Sequence, residues 1–226
     1  MRFLAIILIS LGLTSAAQAA EPGPTITVTG RGEVAAAPDM ATISLGVTSQ
    51  AKTAGAAMDE TSVATAAILK ALEAAGIAPR DMQTSELSLD PVWSNRASGG
   101  ETPRIEGFVA RNTLRVRVRD LDRLGPVLDD VLEMGANTFR GLNFGLQEPG
   151  PLTDRARTEA VADAQRKAAL IAEAAGLPLG PVLSISESGA VTPQPVMMEA
   201  ARAAMPVAAG EVSLSATVTM VFALGE

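Results

Sequence analysis

Along residues 105–119, apolar and polar side chains alternate with a period of two. Phe108, Ala110, Leu114, Val116 and Val118 fall on one side of an extended chain, and Arg111, Thr113, Arg115 and Arg117 on the other. Ile43, Leu45 and Val47 oppose Thr42, Ser44 and Thr48 in the same way. Val212, Leu214, Val218, Met220 and Phe222 oppose Ser213, Ser215, Thr217 and Thr219. Strands with one apolar face and one hydroxyl or charged face predict a mainly antiparallel sheet, with helices on one side and water or a partner on the other. The period changes over 53–75, where Met58, Thr61, Thr65, Ile68, Leu72 and Ala75 recur at helical spacing. Gly76 and Pro79 then predict a stop. A second long helix is predicted over 153–175, ended by Gly176 and Pro178, and a shorter one over 121–134, capped by Asp120 and ended by Gly135.

The helix endings repeat. Glu73-Ala74-Ala75-Gly76-Ile77 returns as Glu173-Ala174-Ala175-Gly176-Leu177, and Ile43-Ser44-Leu45-Gly46-Val47 ahead of the first helix parallels Leu142-Asn143-Phe144-Gly145-Leu146 ahead of the second. Each long helix is followed by two strand-like runs, 84–93 and 105–119 in the first half, 182–188 and 212–222 in the second. The expected fold class is α+β, built from two β-α-β-β units over about 39–119 and 138–224 and joined by the helix 121–134. A leading strand is expected over 25–29.

Residues 1–19 read as a secretory signal peptide: Arg2, an apolar run over 3–13 too short to anchor in a bilayer, then Ala17-Gln18-Ala19 as a cleavage signal. Residues 20–226 then form the exported domain, with no further run long enough for a transmembrane helix. Export permits disulfides, yet the chain has no cysteine; it also lacks histidine and tyrosine. The usual thiol nucleophile, neutral-pH base and commonest zinc ligand are therefore missing, so the expectation is a non-enzyme. Lys52, Lys70 and Lys167 sit in no nucleophile motif. A net charge of -7 argues against nucleic acid as a partner.

Candidate chemistry is sparse, and no cofactor or metal site is predicted. Gly30-Arg31-Gly32-Glu33-Val34-Ala35 matches a dinucleotide-binding pattern, but Pro38 and the next strand leave no room for the helix that the pattern needs, so a glycine turn between strands is expected. Asp129, Asp130 and Glu133 read as a solvated helix face. Thr84, Glu86, Ser88 and Asp90 should share a polar side, with Glu86 near Arg111 as a register-setting ion pair. The alternative is an interaction surface, in which Arg111, Arg115 and Arg117 would meet a carboxylate or phosphate ligand. The segment 189–210 is too long for a simple hairpin and carries Met197, Met198 and Met205. Those thioethers could pack on the core, contact another subunit, or serve soft-metal binding or oxidation.

Ile26-Thr27-Val28-Thr29-Gly30-Arg31-Gly32-Glu33, Ala37-Pro38-Asp39, the run from Asn112 through Arg119-Asp120, Gly135-Ala136-Asn137 and Gly210-Glu211-Val212 together resemble SIMPL-domain proteins of the periplasmic, YggE-like branch. The resemblance spans roughly residues 25–224. It implies an α+β fold, a cell-envelope location with possible outer-membrane association, a link to oxidative-stress tolerance and, in some relatives, ring-like homo-oligomers; it brings no catalytic residues. The resulting expectation is a non-enzymatic, self-associating envelope protein. The alternative is a small-molecule or soft-metal binding module that uses 189–210.

Overall fold

The computed structural model describes residues 23–94, 103–188, 194–196 and 208–225. The predicted leader lies outside them. The elements follow in the order β1 (Thr25–Ala36), β2 (Met40–Ala51), α1 (Ala54–Ala74), β3 (Met82–Trp93), β4 (Ile105–Val118), α2 (Leu124–Glu133), β5 (Thr138–Gly145), α3 (Gly150–Ala174), β6 (Leu179–Glu187), β7 (Gln194–Val196) and β8 (Glu211–Leu224). Short 3-10 turns, Pro79–Asp81 and Leu121–Arg123, precede β3 and α2. The fold is α+β, with every strand pairing antiparallel.

Both long helices end as their sequences dictate. Gly76 and Gly176 take φ values of 83° and 70°. Each donates its N–H to the glutamate carbonyl three residues back, and the following Ile77 or Leu177 donates to the carbonyl of Leu72 or Ala172. These bonds satisfy carbonyls that the helix itself leaves free. At the start of α1, the Thr53 hydroxyl accepts from the Ala56 N–H at 3.3 Å. Asp120 caps the turn Leu121–Arg123, accepting from the Asp122 N–H, and α2 follows directly.

The strands divide into two sheets, β3-β4-β2-β5 and β1-β8-β6, with β7 also on β8. α1 packs on β2 and β4 and places Ile68 and Leu72 against Ile43, Leu45, Leu114 and Val116; α2 adds Val127, Leu128 and Val131 to the same cluster. α3 lies on β1 and β8 in a different manner. It buries a stripe of alanines from Ala156 to Ala172, with Ala156, Ala160, Ala164 and Ala168 packed against Val28, Val34, Val218, Met220 and Phe222. Alanine at every fourth position lets this helix approach the sheet closely.

That approach corrects the expected glycine turn. Gly30 and Gly32 lie inside β1, which runs to Ala36 rather than stopping at residue 29. A Cβ on Gly30 would be driven into the carbonyl oxygen of Ala160, and one on Gly32 into that of Ala156. The glycines are there because the backbone of α3 occupies the space that their side chains would fill. α3 is further tied to this strand by Asp163, which accepts from the Arg31 N–H at 3.0 Å and from Lys167. The Lys167 bond, then those from Arg31 and Arg166, hold the Asp163 carboxyl well below the usual carboxylate range.

The two halves share the order strand, helix, strand, strand, with β7 an addition in the second, but their strands are exchanged between sheets. β5, which opens the second half, pairs with β2, while the leading strand β1 pairs with β8. Leu142 and Phe144 pack on the first cluster, which accounts for the placement of β5 there. Asn137 extends this pairing: its side-chain amide accepts from the Thr48 N–H and donates to the Thr48 carbonyl, both at 2.8 Å, as a strand backbone would.

Candidate interaction surfaces

The outer face of the first sheet carries Arg111, Arg115 and Arg117 from β4, as the alternation predicts. The partners differ from expectation. A register irregularity between Thr84 and Glu86 sets Thr84 opposite Leu114, on the apolar side, and Glu86 opposite Thr113. Ser88 therefore faces Arg111, whose Nη1 reaches Asp90 Oδ2 at 2.7 Å. Glu86 instead binds Arg140 of β5 at 3.1 Å. Arg111 is thus engaged in an ion pair along the hairpin. Arg115 and Arg117 are exposed, and neither forms an ion pair among the described residues.

Arg117 lies near a second group of charges. Asp81, in the turn before β3, is 5% exposed, and Arg119 grips both of its oxygens, Nε to Oδ2 at 2.8 Å and Nη2 to Oδ1 at 2.7 Å. The Arg119 hydrogen bond holds the Asp81 carboxyl below its usual range against the opposing effect of burial, with smaller attraction from Arg119, Arg80 and Arg117. Next to this pair, Gln147 donates its N–H to Asp39 Oδ1 at 2.7 Å, and its side chain donates to the Asp39 and Arg119 carbonyls. Asp39 therefore fastens the turn between β1 and β2 to the end of β5.

The second sheet presents another kind of surface. β6 is its edge strand, and no described strand pairs with its outer side. α3 reaches it through Arg157, which binds Glu187 at 2.9 Å, but leaves its aliphatic side chains open: Leu179 is 36% exposed, Val182 41%, Leu183 58% and Ile185 58%. Four exposed aliphatic side chains on one edge strand are of the kind that marks a contact site. The run Leu179-Gly180-Pro181-Val182-Leu183-Ser184-Ile185 was legible as apolar on both faces, and that was the available signal. Met197, Met198 and Met205 lie outside the described residues.

Sequence comparison places the chain among known proteins. Residues 26–222 match the SIMPL model, described as a protein of unknown function (DUF541). The chain belongs to the SIMPL family. It is 39% identical over 208 residues to the 26 kDa periplasmic immunogenic protein of Brucella melitensis biotype 1, covering 87% of this chain and 83% of that one. It is 32% identical over 176 residues to the uncharacterized protein YggE of Edwardsiella ictaluri, covering 77% and 73%. The YggE protein of Escherichia coli K12 matches at 31% over 216 residues, covering 93% and 87%. Among the described residues of this SIMPL protein, no helix is long and apolar enough to cross a membrane.

Proposed function

We propose that this SIMPL protein is an exported, non-catalytic component of the cell envelope, residing in the periplasm and acting as a homo-oligomer that docks through the uncovered edge of β6. The observation that carries the reading is the exposure of Leu179, Val182, Leu183 and Ile185 on a strand whose outer edge, away from β8, no described strand pairs with. Water contact with four aliphatic side chains is unfavourable, and a second copy would remove it. Pro181 and the register irregularities near Val182 guard the first half of the strand against indiscriminate pairing, while 184–187 remain regular. Support for the compartment comes from the leader pattern and from the printed name of the Brucella relative. A contribution to oxidative-stress tolerance or outer-membrane association belongs to the same reading through family resemblance.

The test is light scattering coupled to size-exclusion chromatography, on the chain without residues 1–19 and on an L183K/I185K variant. An oligomer in the parent and a folded monomer in the variant are expected. A strict monomer in the parent across micromolar concentrations would overturn the self-association claim, and an unchanged oligomer in the variant would overturn the choice of surface.

A further inference from the structure

We propose that the cavity between the end of α1, the turn Pro79–Asp81, the end of β4 and the turn Leu121–Arg123 is a binding site for a phosphate-type oxyanion. The cavity measures about 170 Å³ and brings together Arg80, Arg117, Arg119 and Arg123, with Asp81 and Asp120 as the carboxylates in its wall. Four guanidiniums against two carboxylates leave two positive charges in excess, within a chain whose net charge is -7.

Both carboxylates are already engaged. Asp81 is held at both oxygens by Arg119, and one oxygen of Asp120 caps the turn at the Asp122 N–H, 3.1 Å away. Arg80 is left with a 4.0 Å approach to Asp81, while Arg117 and Arg123 have no ion pair among the described residues. Like charges held together repel, and an anion between them would relieve that repulsion. Arg123 lies over the helix-ending glycine. Its Nη1 occupies space beside Gly76, 2.7 Å from where a Cβ would stand, so a side chain at residue 76 would displace it.

The geometry favours an oxyanion of several oxygens. Arginine presents parallel N–H donors that match phosphate oxygens two at a time, and three largely unspent guanidiniums suit a doubly charged group better than a single carboxylate. The volume falls below the roughly 300 Å³ at which pockets for drug-sized ligands begin, so the site would take a phosphate group and leave the rest of its carrier outside. That phosphate could be free or could belong to a lipid headgroup at a membrane surface. This proposal is independent of the β6 docking surface, which lies on the other sheet.

Two arms distinguish the sources. Isothermal titration with inorganic phosphate at low ionic strength tests the free anion, and co-flotation with phosphatidylcholine vesicles, with or without phosphatidic acid, tests the lipid phosphomonoester. Saturable binding in either arm is expected. R117Q/R123Q should weaken it by about tenfold or more, the scale of losing charge-assisted hydrogen bonds. R115Q, on the same strand but outside the cavity, should leave binding within about twofold, since a single exposed charge contributes little. Because Arg117 and Arg123 are exposed, the double variant should fold; circular dichroism checks this, and R117K, which keeps the charge but loses the fork, gives a second reading of the same site. Absence of saturable binding in both arms would overturn the proposal, as would an equal loss in R115Q.

Discussion

Arg140 Nη1 and Glu86 Oε2 meet at 3.1 Å although their strands, β5 and β3, form opposite edges of a four-stranded sheet. Neighbouring strands lie about 4.8 Å apart, so the two side chains together span about 14 Å. They run across the register row that contains Thr113 and Gly46, both buried despite lying on the polar face. A Cβ at residue 46 would press into the backbone carbonyl of Asn112 on β4. A double-mutant cycle with Glu86→Gln and Arg140→Gln, read by urea unfolding, should give a coupling of about 0.5–1 kcal/mol, near the upper end for exposed ion pairs. Zero coupling would make the pair incidental to the sheet.

Gly30→Ala and Gly32→Ala each force a methyl group into the backbone of α3. A backbone cannot yield as a flexible side chain does, so each substitution should cost about 3 kcal/mol or more, at the upper end of overpacking effects. Ala164→Gly, which removes the Cβ lying 2.7 Å from the methyl position at residue 30, is a useful second variant in the background of Gly30→Ala. Partial rescue measured by thermal unfolding is expected, and a neutral Gly30→Ala would show that α3 can lift away at little cost.

The Asp81–Arg119 pair makes stability depend on pH with a definite sign. Because the folded-state pKa of Asp81 lies below 3.8, its contribution is present above the unfolded value and is lost as pH falls through the lower, folded one. Asp81→Asn should therefore cost about 2 kcal/mol at pH 7, a figure for charge-assisted hydrogen bonds reduced because Arg119 is 40% exposed. The difference between parent and variant should hold from neutral pH down to about pH 5 and shrink below about pH 4. A gap that widened on acidification would contradict this assignment.

Thr61 and Thr65 lie on the buried side of α1, and neither hydroxyl has a hydrogen-bond partner among the described residues. Thr65→Val keeps the shape and removes the polar atom. A gain of about 1 kcal/mol in chemical unfolding is expected, since an unmet buried hydroxyl is costly. A loss would mean that the hydroxyl is bonded in solution.

Much of the fold was legible because it depends on local chemistry. Gly76 and Gly176 close their helices where the repeat predicts, and the alternation around Arg111, Arg115 and Arg117 assigns their face correctly. What failed depends on distant contacts. Nothing near Gly30 in the chain announces that Ala160 will press on it, so a mid-strand glycine was read as a turn. The hairpin register is not the symmetric one: past the irregularity at Thr84 the partners of β3 lie two positions from it, so Ser88 faces Arg111 and Glu86 reaches Arg140 instead. Likewise, Arg80, Arg119 and Arg123 are unremarkable one at a time. Only the meeting of two 3-10 turns with the end of β4 makes them a group with Arg117.

The exchange of β1 and β5 has a consequence for the order of folding. Thr29 and Thr219 face each other across 190 positions, and both β1 and β6 pair with β8. The first cluster can assemble from residues up to β5 alone, but the second sheet has no centre until the last strand arrives. Long-range closure of this kind is slow, because the chain must lose much of its freedom before any contact offsets the loss. β8 thus acts as the closing strand: until it docks, β1 has no partner and the alanine stripe of α3 lacks half the surface on which it comes to rest.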